Sequence, residues 1–395
     1  MRLFVHDYAG HPFQVQLSRE LAKRGHEVTH AYAASIQTPR GALASKGDDP
    51  ASLRIEGISI SEPFEKQNFL KRRFQELEYS RLLTARVEEI RPDWVISANT
   101  PTEPQAILQR RCRKLGIHFA SWVQEFYGVA VHRLLRDRAP VLGALVGRYY
   151  MRLDRRVLRR SDKIILITDD FRPLVHEMGV QPDRVHVIEN WAPLDELPLR
   201  PRINPWSEKH ALSDKFVFLY SGTLGMKHNP ALLLELARHF QDEERAQVVV
   251  ISEGLGADWL REKKAEIGVD NLLLLPFQPF EEMPDVLASS EVLVAILEPD
   301  AGVFSVPSKV LTYLCAGKPI LAVMPPENLA ARIIEKTDAG IVEKPGEVGA
   351  FMAAGKRLQG DPGLRRRAGA SARSYAENAF DIKRVADAFV AVLAS

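Results

Sequence analysis

The chain has 395 residues, 46% hydrophobic and 26% charged, with 24 Gly and 25 Pro, an ordinary globular composition at a length that favours two domains over one. The formal net charge of +2 divides unevenly: residues 1–195 hold 30 Lys/Arg against 24 Asp/Glu (+6), and residues 196–395 hold 23 against 27 (−4). Opposite halves suggest different partners, and the basic excess is too small and too local for general nucleic-acid binding.

RLFVH reads as a strand from residue 2, and MRLFVHDYAG has no apolar stretch of signal-peptide length. FQVQLSRELAKRG carries apolar residues at helical spacing, and EVTHAY alternates as a strand. His26 and His30 are four apart there, but strand alternation makes them surface or half-buried histidines rather than a metal pair. DWVISA and KIILIT are strands too apolar for a one-sided sheet. Between them, residues 132–160 hold nine Arg opposed by Asp137 and Asp154, a surplus of seven. Leu142, Leu145, Val146, Tyr149, Tyr150 and Leu153 are spaced to make one apolar face. The segment reads as a basic amphipathic helix for an anionic bilayer or lipid phosphate, with Arg148, Arg152, Arg155, Arg156, Arg159 and Arg160 as its charged surface. A solvated helix packed on the core is the other reading.

After VHVIEN, Pro193, Pro198, Pro201 and Pro205 interrupt periodicity and mark an interdomain linker. KFVFLYS, QVVVIS, LLLLPF, VLVAIL and PILAV then restart the strand-helix alternation. The expected fold is α/β, two doubly wound Rossmann-like domains over 1–195 and 196–380, with a last helix over about 381–395 as a candidate to pack back on the first. Cys112 and Cys315 lie far apart and outside any Cys-x-x-Cys pair, which argues against a disulfide framework or zinc cluster and fits a reducing cytosol. No run approaches the roughly 18 apolar residues of a spanning helix. The protein is expected in the cytoplasm, peripheral at the inner face of the plasma membrane.

The chain has no Gly-x-x-x-x-Gly-Lys-Ser/Thr loop, no Gly-x-Gly-x-x-Gly after its first strand, and no Asp-x-Asp to hold a metal on a diphosphate. Two turns suit an anion. In GVFSVPSKVLTYLCAGKPILAV (302–323), Pro307 suits the first helical position and Ser305 a capping role, with a helix to about Leu314 that stops at Gly317. That helix start presents backbone N–H groups, and Ser308 and Lys309 add a hydroxyl and an ammonium, enough for a diphosphate. A plain βαβ turn with a surface lysine is equally compatible. In YSGTLGMKHNP (220–230), Gly222 and Gly225 let a ligand approach the backbone and Lys227 can neutralise a phosphate; a tight strand-helix turn is the alternative.

Together these segments resemble the retaining nucleotide-sugar glycosyltransferases of glycosyltransferase family 4, and among them the members that build bacterial envelope polysaccharides and exopolysaccharides. RELAKRGHEVTHAY is similar to the family's first helix and second strand, and VHVIENWAP to its domain-closing strand and Asn. ISEGLG, LLLLPFQPFEEMPDVLASSEVLVAIL and VPSKVLTYLCAGKPIL follow the order of its back domain. The resemblance implies the GT-B arrangement, two facing Rossmann-like domains with donor on the back one and acceptor on the front, and no bound metal or other cofactor. Carried over by position, Gly222 and Lys227 match the first back-domain loop, Glu253 and Gly254 the turn after its second strand, and Phe277 the residue beside the base. Ser305, Val306, Ser308 and Lys309 match the phosphate-binding turn, and Gly10 in the front domain joins the donor set. The chain departs at Phe304 and Thr312, where the family has two Glu, and lacks an Arg near Thr223.

His11 opens the first helix in AGHPFQVQLSREL, a loop that in a GT-B cleft faces the donor. A histidine there can deprotonate an acceptor hydroxyl, as the similar placement in inverting plant-type glucosyltransferases implies; in a retaining enzyme it contacts donor or acceptor instead. Helix capping or packing is the third reading. Glu125, in WVQEFYG, lies where the family often has His-Asp and is a candidate to orient the acceptor, or a structural carboxylate. The implied function is transfer of a sugar from a nucleoside-diphosphate sugar, UDP ahead of GDP, to a saccharide or lipid-linked saccharide in cell-surface polysaccharide synthesis, with retention. A nucleotide-sugar epimerase of the same architecture and a non-catalytic subunit binding donor or membrane are the alternatives.

Overall fold

Strands as apolar as RLFVHD and FVFLYS need cover on both faces, which parallel sheets obtain from crossover helices. The computed structural model describes residues 1–36, 43–65, 68–129, 131–132, 140–225, 228–299 and 306–395. The chain separates into two units, Met1–Asn190 with Ile382–Ser395, and Trp191–Asp381.

The described residues of the first unit form a seven-stranded parallel sheet in the order β3-β2-β1-β4-β5-β6-β7. Its strands are β1 (Arg2–Asp7), β2 (Glu27–Ala33), β3 (Leu53–Ile58), β4 (Trp94–Ala98), β5 (His118–Val123), β6 (Lys163–Leu166) and β7 (Val185–Val187). Helices α1 (Pro12–Lys23), α2 (Phe69–Ile90), α3 (Thr102–Leu115) and α4 (Pro140–Arg160) cover it. Leu3 pairs with Val28 on one side and Trp94 on the other, which sets the register about β1. Phe4, Leu83, Val95, Leu108 and Phe119 form one core layer.

The described residues of the second unit form a six-stranded parallel sheet in the order β10-β9-β8-β11-β12-β13. The strands are β8 (Phe216–Ser221), β9 (Ala246–Ile251), β10 (Leu272–Leu275), β11 (Val292–Ile296), β12 (Ile320–Val323) and β13 (Gly340–Glu343). Helices α5 (Pro230–His239), α6 (Leu255–Ile267) and α7 (Ser308–Cys315) matter for the site. The proline-rich segment after residue 190 is anchored on this unit rather than loose. Trp191, Leu197 and Trp206 are buried, Asn204 and Ser207 make a capping box, and Arg202 pairs with Glu291 at 2.6 Å.

The final helix, α8 (Ile382–Ala394), belongs to the first unit. Phe389 is fully buried with its ring 4.8 Å from Trp122, and Arg24, the residue that caps α1, donates to Lys383 O at 2.6 Å. Neither cysteine is bonded; both are buried, and burial pushes both thiols up to about 12. No helix among the described residues is long and apolar enough to cross a membrane.

Three sequence expectations change here. His30 is fully buried, with Nδ1 2.8 Å from Ser18 Oγ, because strand β2 is covered on both faces. Pro307 is the N-cap of α7, in extended conformation, so the helix begins at Ser308. The apolar residues of α4 do not share one face. Tyr150 is buried, whereas Leu145 and Tyr149 are 58% and 45% exposed, and Asp154 turns inward to accept from Gly128 N at 2.7 Å.

Phe389→Ala should destabilise the protein by about 3–5 kcal/mol, the usual scale for emptying a buried aromatic site. A denaturation midpoint equal to that of the wild type would mean that α8 contributes nothing to the first unit's core.

Candidate active site

In an open parallel sheet, the crevice for a ligand lies at the carboxyl ends of the two strands where the order reverses. In the second unit those strands are β8 and β11. β8 ends at Ser221, and Gly222 follows with φ +130°, a conformation that glycine adopts without strain. A Cβ on Gly222 would lie 3.4 Å from Lys309 Cε and 3.5 Å from its Nζ, so the ammonium on the first turn of α7 sits against the bare backbone of this loop. Lys309 Nζ is also 3.6 Å from the centroid of the Tyr220 ring, a cation–π contact that holds it in place. Tyr313, one turn further along α7, donates its hydroxyl to Ser221 O and accepts from Ser221 N at 2.9 Å, tying α7 to the end of β8. The first turn of α7 supplies backbone N–H groups beside that cation.

The neighbouring strand ends add to the same rim. Glu253 follows β9, and its carboxylate accepts from Phe277 N at 3.3 Å, which links the turns after β9 and β10. Gly254 has φ +95° and caps α6. Gly256 N donates to Leu224 O at 3.1 Å, and a Cβ there would come within 2.3 Å of that oxygen. Val306 and Ser308 flank the N-cap of α7, with Ser308 exposed. Lys227 and Ser305 lie outside the described residues.

In the first unit the reversal falls between β1 and β4. Asp7 ends β1 with its side chain fully buried, and its carboxylate accepts from Ala9 N at 3.1 Å and Asn99 Nδ2 at 3.2 Å. His11 gives Asp7 both its backbone N–H and its ring, with Nδ1 3.3 Å from Oδ1. Gly10 completes the turn with φ +78°. Burial alone would raise Asp7, but the charge and hydrogen bonds of His11 outweigh it and leave the carboxyl below its ordinary value. Burial alone would lower His11, and the charges of Asp7 and Glu125 with the Asp7 hydrogen bond lift it above 6.5. Glu125 is exposed just beyond β5 and acts on His11 through its charge. Arg148, Arg152, Arg155, Arg156, Arg159 and Arg160 are exposed, and Arg155 donates to Met178 O at 3.0 Å.

Two doubly wound parallel sheets, each with charged side chains gathered where its strand order reverses, define the GT-B class of nucleotide-dependent transferases. Residues 11–191 match the family model described as a glycosyl transferase 4-like domain, and residues 203–375 that of the glycosyl transferases group 1. Over 268 residues, 68% of its length, the chain is 27% identical to the probable glycosyltransferase WbjE of Pseudomonas aeruginosa, of which the match covers 66%. It is 22% identical over 178 residues to WcaI of Escherichia coli K12, a putative colanic acid biosynthesis glycosyl transferase, covering 44% of each chain. The matches thus span less than two thirds of these curated relatives. HepE of Anabaena, solved in complex with UDP and glucose, superposes with a TM-score of 0.74 at 13% identity over the whole of both chains. The chain belongs to the family 4, group 1 glycosyltransferases.

Several residues of these crevices carry no pattern in the sequence. Asp7 is one carboxylate at the end of a strand, Asn99 stands at φ +53° after β4, and Tyr220 and Tyr313 read as core aromatics. A polar residue ending an apolar strand was the available signal for Asp7 and Asn99. Asp154 was legible only as an opposing charge on α4, yet it is half-buried beside Gly128, where a Cβ would come within 2.5 Å of its Oδ2. Burial raises its carboxyl to about 6 against the bond from Gly128, so between 3.8 and about 6 the folded state keeps a proton that the unfolded chain has lost. The associated stability is present at low pH and disappears as pH rises through about 6. Asp154→Asn should therefore be more stable than wild type at pH 8, by roughly 1–3 kcal/mol, and equal to it near pH 3. Thermal melts at the two pH values check this; a variant less stable at pH 8 would contradict it.

Proposed function

We propose that the protein transfers a sugar from a nucleoside-diphosphate sugar, a UDP-sugar in preference, to a saccharide or lipid-linked saccharide in cell-surface polysaccharide synthesis, with retention of configuration. The observation that carries this reading is Lys309 held over Tyr220, against the bare backbone of Gly222 and on the first turn of α7. Breaking the bond to a nucleoside diphosphate requires stabilisation of the charge that develops on it. A pre-positioned ammonium and backbone N–H groups supply that without reorganising. Charge neutralisation is thereby assigned to protein groups rather than to a divalent cation, in keeping with a sequence without Asp-x-Asp. Glu253, Gly254 and Phe277 are assigned to the nucleoside end of the donor. In a retaining transfer the acceptor approaches on the face the diphosphate leaves, so no protein nucleophile is needed. HepE in complex with UDP and glucose supports the UDP preference, and WcaI, named for colanic acid biosynthesis, supports a polysaccharide product.

A membrane-borne acceptor fits the surface of α2 and α4. Phe69, Leu70 and Phe74 are 50%, 65% and 70% exposed on α2, and Val141, Leu145 and Tyr149 are exposed on α4. Glu103 joins the two helices, accepting from Arg73 Nε and Tyr149 Oη, each at 2.8 Å. Towards the end of α4 the arginines crowd: Arg113, Arg159, Arg160 and Arg184 line a cavity of about 370 Å³. The charges of Arg156, then Arg113 and Arg110, press the Arg160 guanidinium below its ordinary value. Such a surplus is relieved by an anionic surface.

Lys309→Ala should weaken UDP binding by roughly 1.5–3 kcal/mol, about 10- to 150-fold, with the fold retained. Unchanged affinity by calorimetry would remove Lys309 from the donor site. Incubating the protein with UDP-sugars, with and without acceptor saccharides, separates transfer from epimerisation and from donor binding without turnover. For the membrane, binding to anionic vesicles should fade as salt rises and be lost in a variant carrying Arg152, Arg156, Arg159 and Arg160 all changed to Gln. Sedimentation of that variant equal to wild type would make the arginines an ordinary solvated face.

A further inference from the structure

The environment of Asp7 bears on what His11 does. A fully buried carboxylate needs compensation by hydrogen bonds and an opposite charge. Asp7 accepts from Ala9 N, Asn99 Nδ2 and His11 N, and His11 Nδ1 lies 3.3 Å from Asp7 Oδ1 and 3.2 Å from Asn99 Nδ2, so that ring nitrogen faces both the carboxylate and the amide. Three of these contacts fall on Oδ1 and one on Oδ2, and His11 is the one ionisable donor among them.

Three histidines lie in this region, and the geometry chooses between them. His6, on β1, is fully buried, with Nδ1 2.9 Å from Ser97 Oγ and Nε2 2.8 Å from Tyr79 Oη; burial pushes it down to about 3. His30, on β2, has Nδ1 bonded to Ser18 and no partner at Nε2 among the described residues; burial pushes it down to about 4. Both are neutral. Arg19 of α1 is committed to Asp49 at 2.8 Å. Glu125, beyond β5, adds a second negative charge. His11 is left as the counter-charge of Asp7. Its side chain is 33% exposed, and Nε2 has no partner among the described residues.

We propose that Asp7 is a positioning residue that holds His11 as an imidazolium by its Nδ1–H, so that Nε2–H is a charged donor to a phosphate oxygen rather than a base for an acceptor hydroxyl. The proposal rests on the transfer reading above. The phosphate is the ionised group of a nucleoside diphosphate or of a lipid phosphate, which the titrations below tell apart. In the transfer itself the sugar C1–O bond to the diphosphate breaks, with its electron pair going to the phosphate oxygen. The C1–O bond to the acceptor forms, and the acceptor's proton leaves with the diphosphate. His11 gains and loses no proton. The charge on His11 has a consequence for pH: its contribution to ligand binding is complete at low pH and is lost as pH rises through its raised value.

The test is the titration of the histidine rings of the full chain by ¹⁵N NMR, with His11 assigned by its absence in His11→Gln. Wild-type His11 should titrate above 6.5, and in Asp7→Asn its midpoint should fall to the ordinary value or below. UDP and a short-chain prenyl phosphate are then titrated separately; the one that shifts the His11 resonances identifies the source of the phosphate. Its affinity should drop about tenfold in His11→Gln at pH 6, and the difference should close as pH passes the wild-type midpoint. A wild-type midpoint at or below 6.5, shifts with neither ligand, or turnover that rises with pH through that midpoint would overturn the proposal. If Asp7→Asn does not fold, the wild-type titration and His11→Gln still decide. Phosphate binding by a charged His11 without sugar transfer to any acceptor would leave this inference standing and defeat the transfer reading instead.

Discussion

Both units are built under one constraint: a parallel sheet of apolar strands must be covered on both faces, and the covering helices diverge where the strand order reverses. At that reversal the carboxyl ends of two strands stand beside an opening that no crossover fills. The side chains found there are held by hydrogen bonds, an opposite charge or a ring face rather than by apolar packing. In the first unit they are Asp7 at the end of β1 and Asn99 after β4; in the second, Lys309 at the start of α7, against the bare backbone of Gly222 after β8. The placement follows from topology, and the chemistry from which residues occupy it.

The two crevices solve the same electrostatic problem differently. In the second unit a flexible ammonium is steadied by an aromatic face and by the absence of a side chain at Gly222. In the first, a fixed carboxylate orients an imidazole, while His6 and His30 satisfy hydroxyl partners as neutral rings. Each charge is held by groups already in position, which makes it useful against charge that appears during a reaction.

Helix α4 shows how one segment carries separate tasks. Its 21 residues span about 31 Å, so its middle and its end meet different neighbours. Midway along it Tyr149 is tied through Glu103 to Arg73 of α2, beside exposed apolar side chains; near its end the arginines crowd those of α3. Asp154, turned inward to Gly128, is removed from the surface balance of charge.

Local pattern alone determined the strand and helix alternation, the two-part organisation, the helix over the last residues and the helix start beside Ser308 and Lys309, because each depends on spacing within a few residues. The family was legible for the same reason, as an order of such segments. Tertiary structure decided the rest. Asp7 and Asn99 are 92 residues apart and meet only because β4 pairs with β1. Lys309 reaches Tyr220 only because β11 lies beside β8. The neutrality of His30 and the inward turn of Asp154 depend on what covers them, and the division of the apolar residues of α4 depends on which neighbours it packs against. Periodicity reports which face of an element is apolar; strand order decides which side chains from distant segments share a crevice, and that order is a long-range property no local spacing encodes.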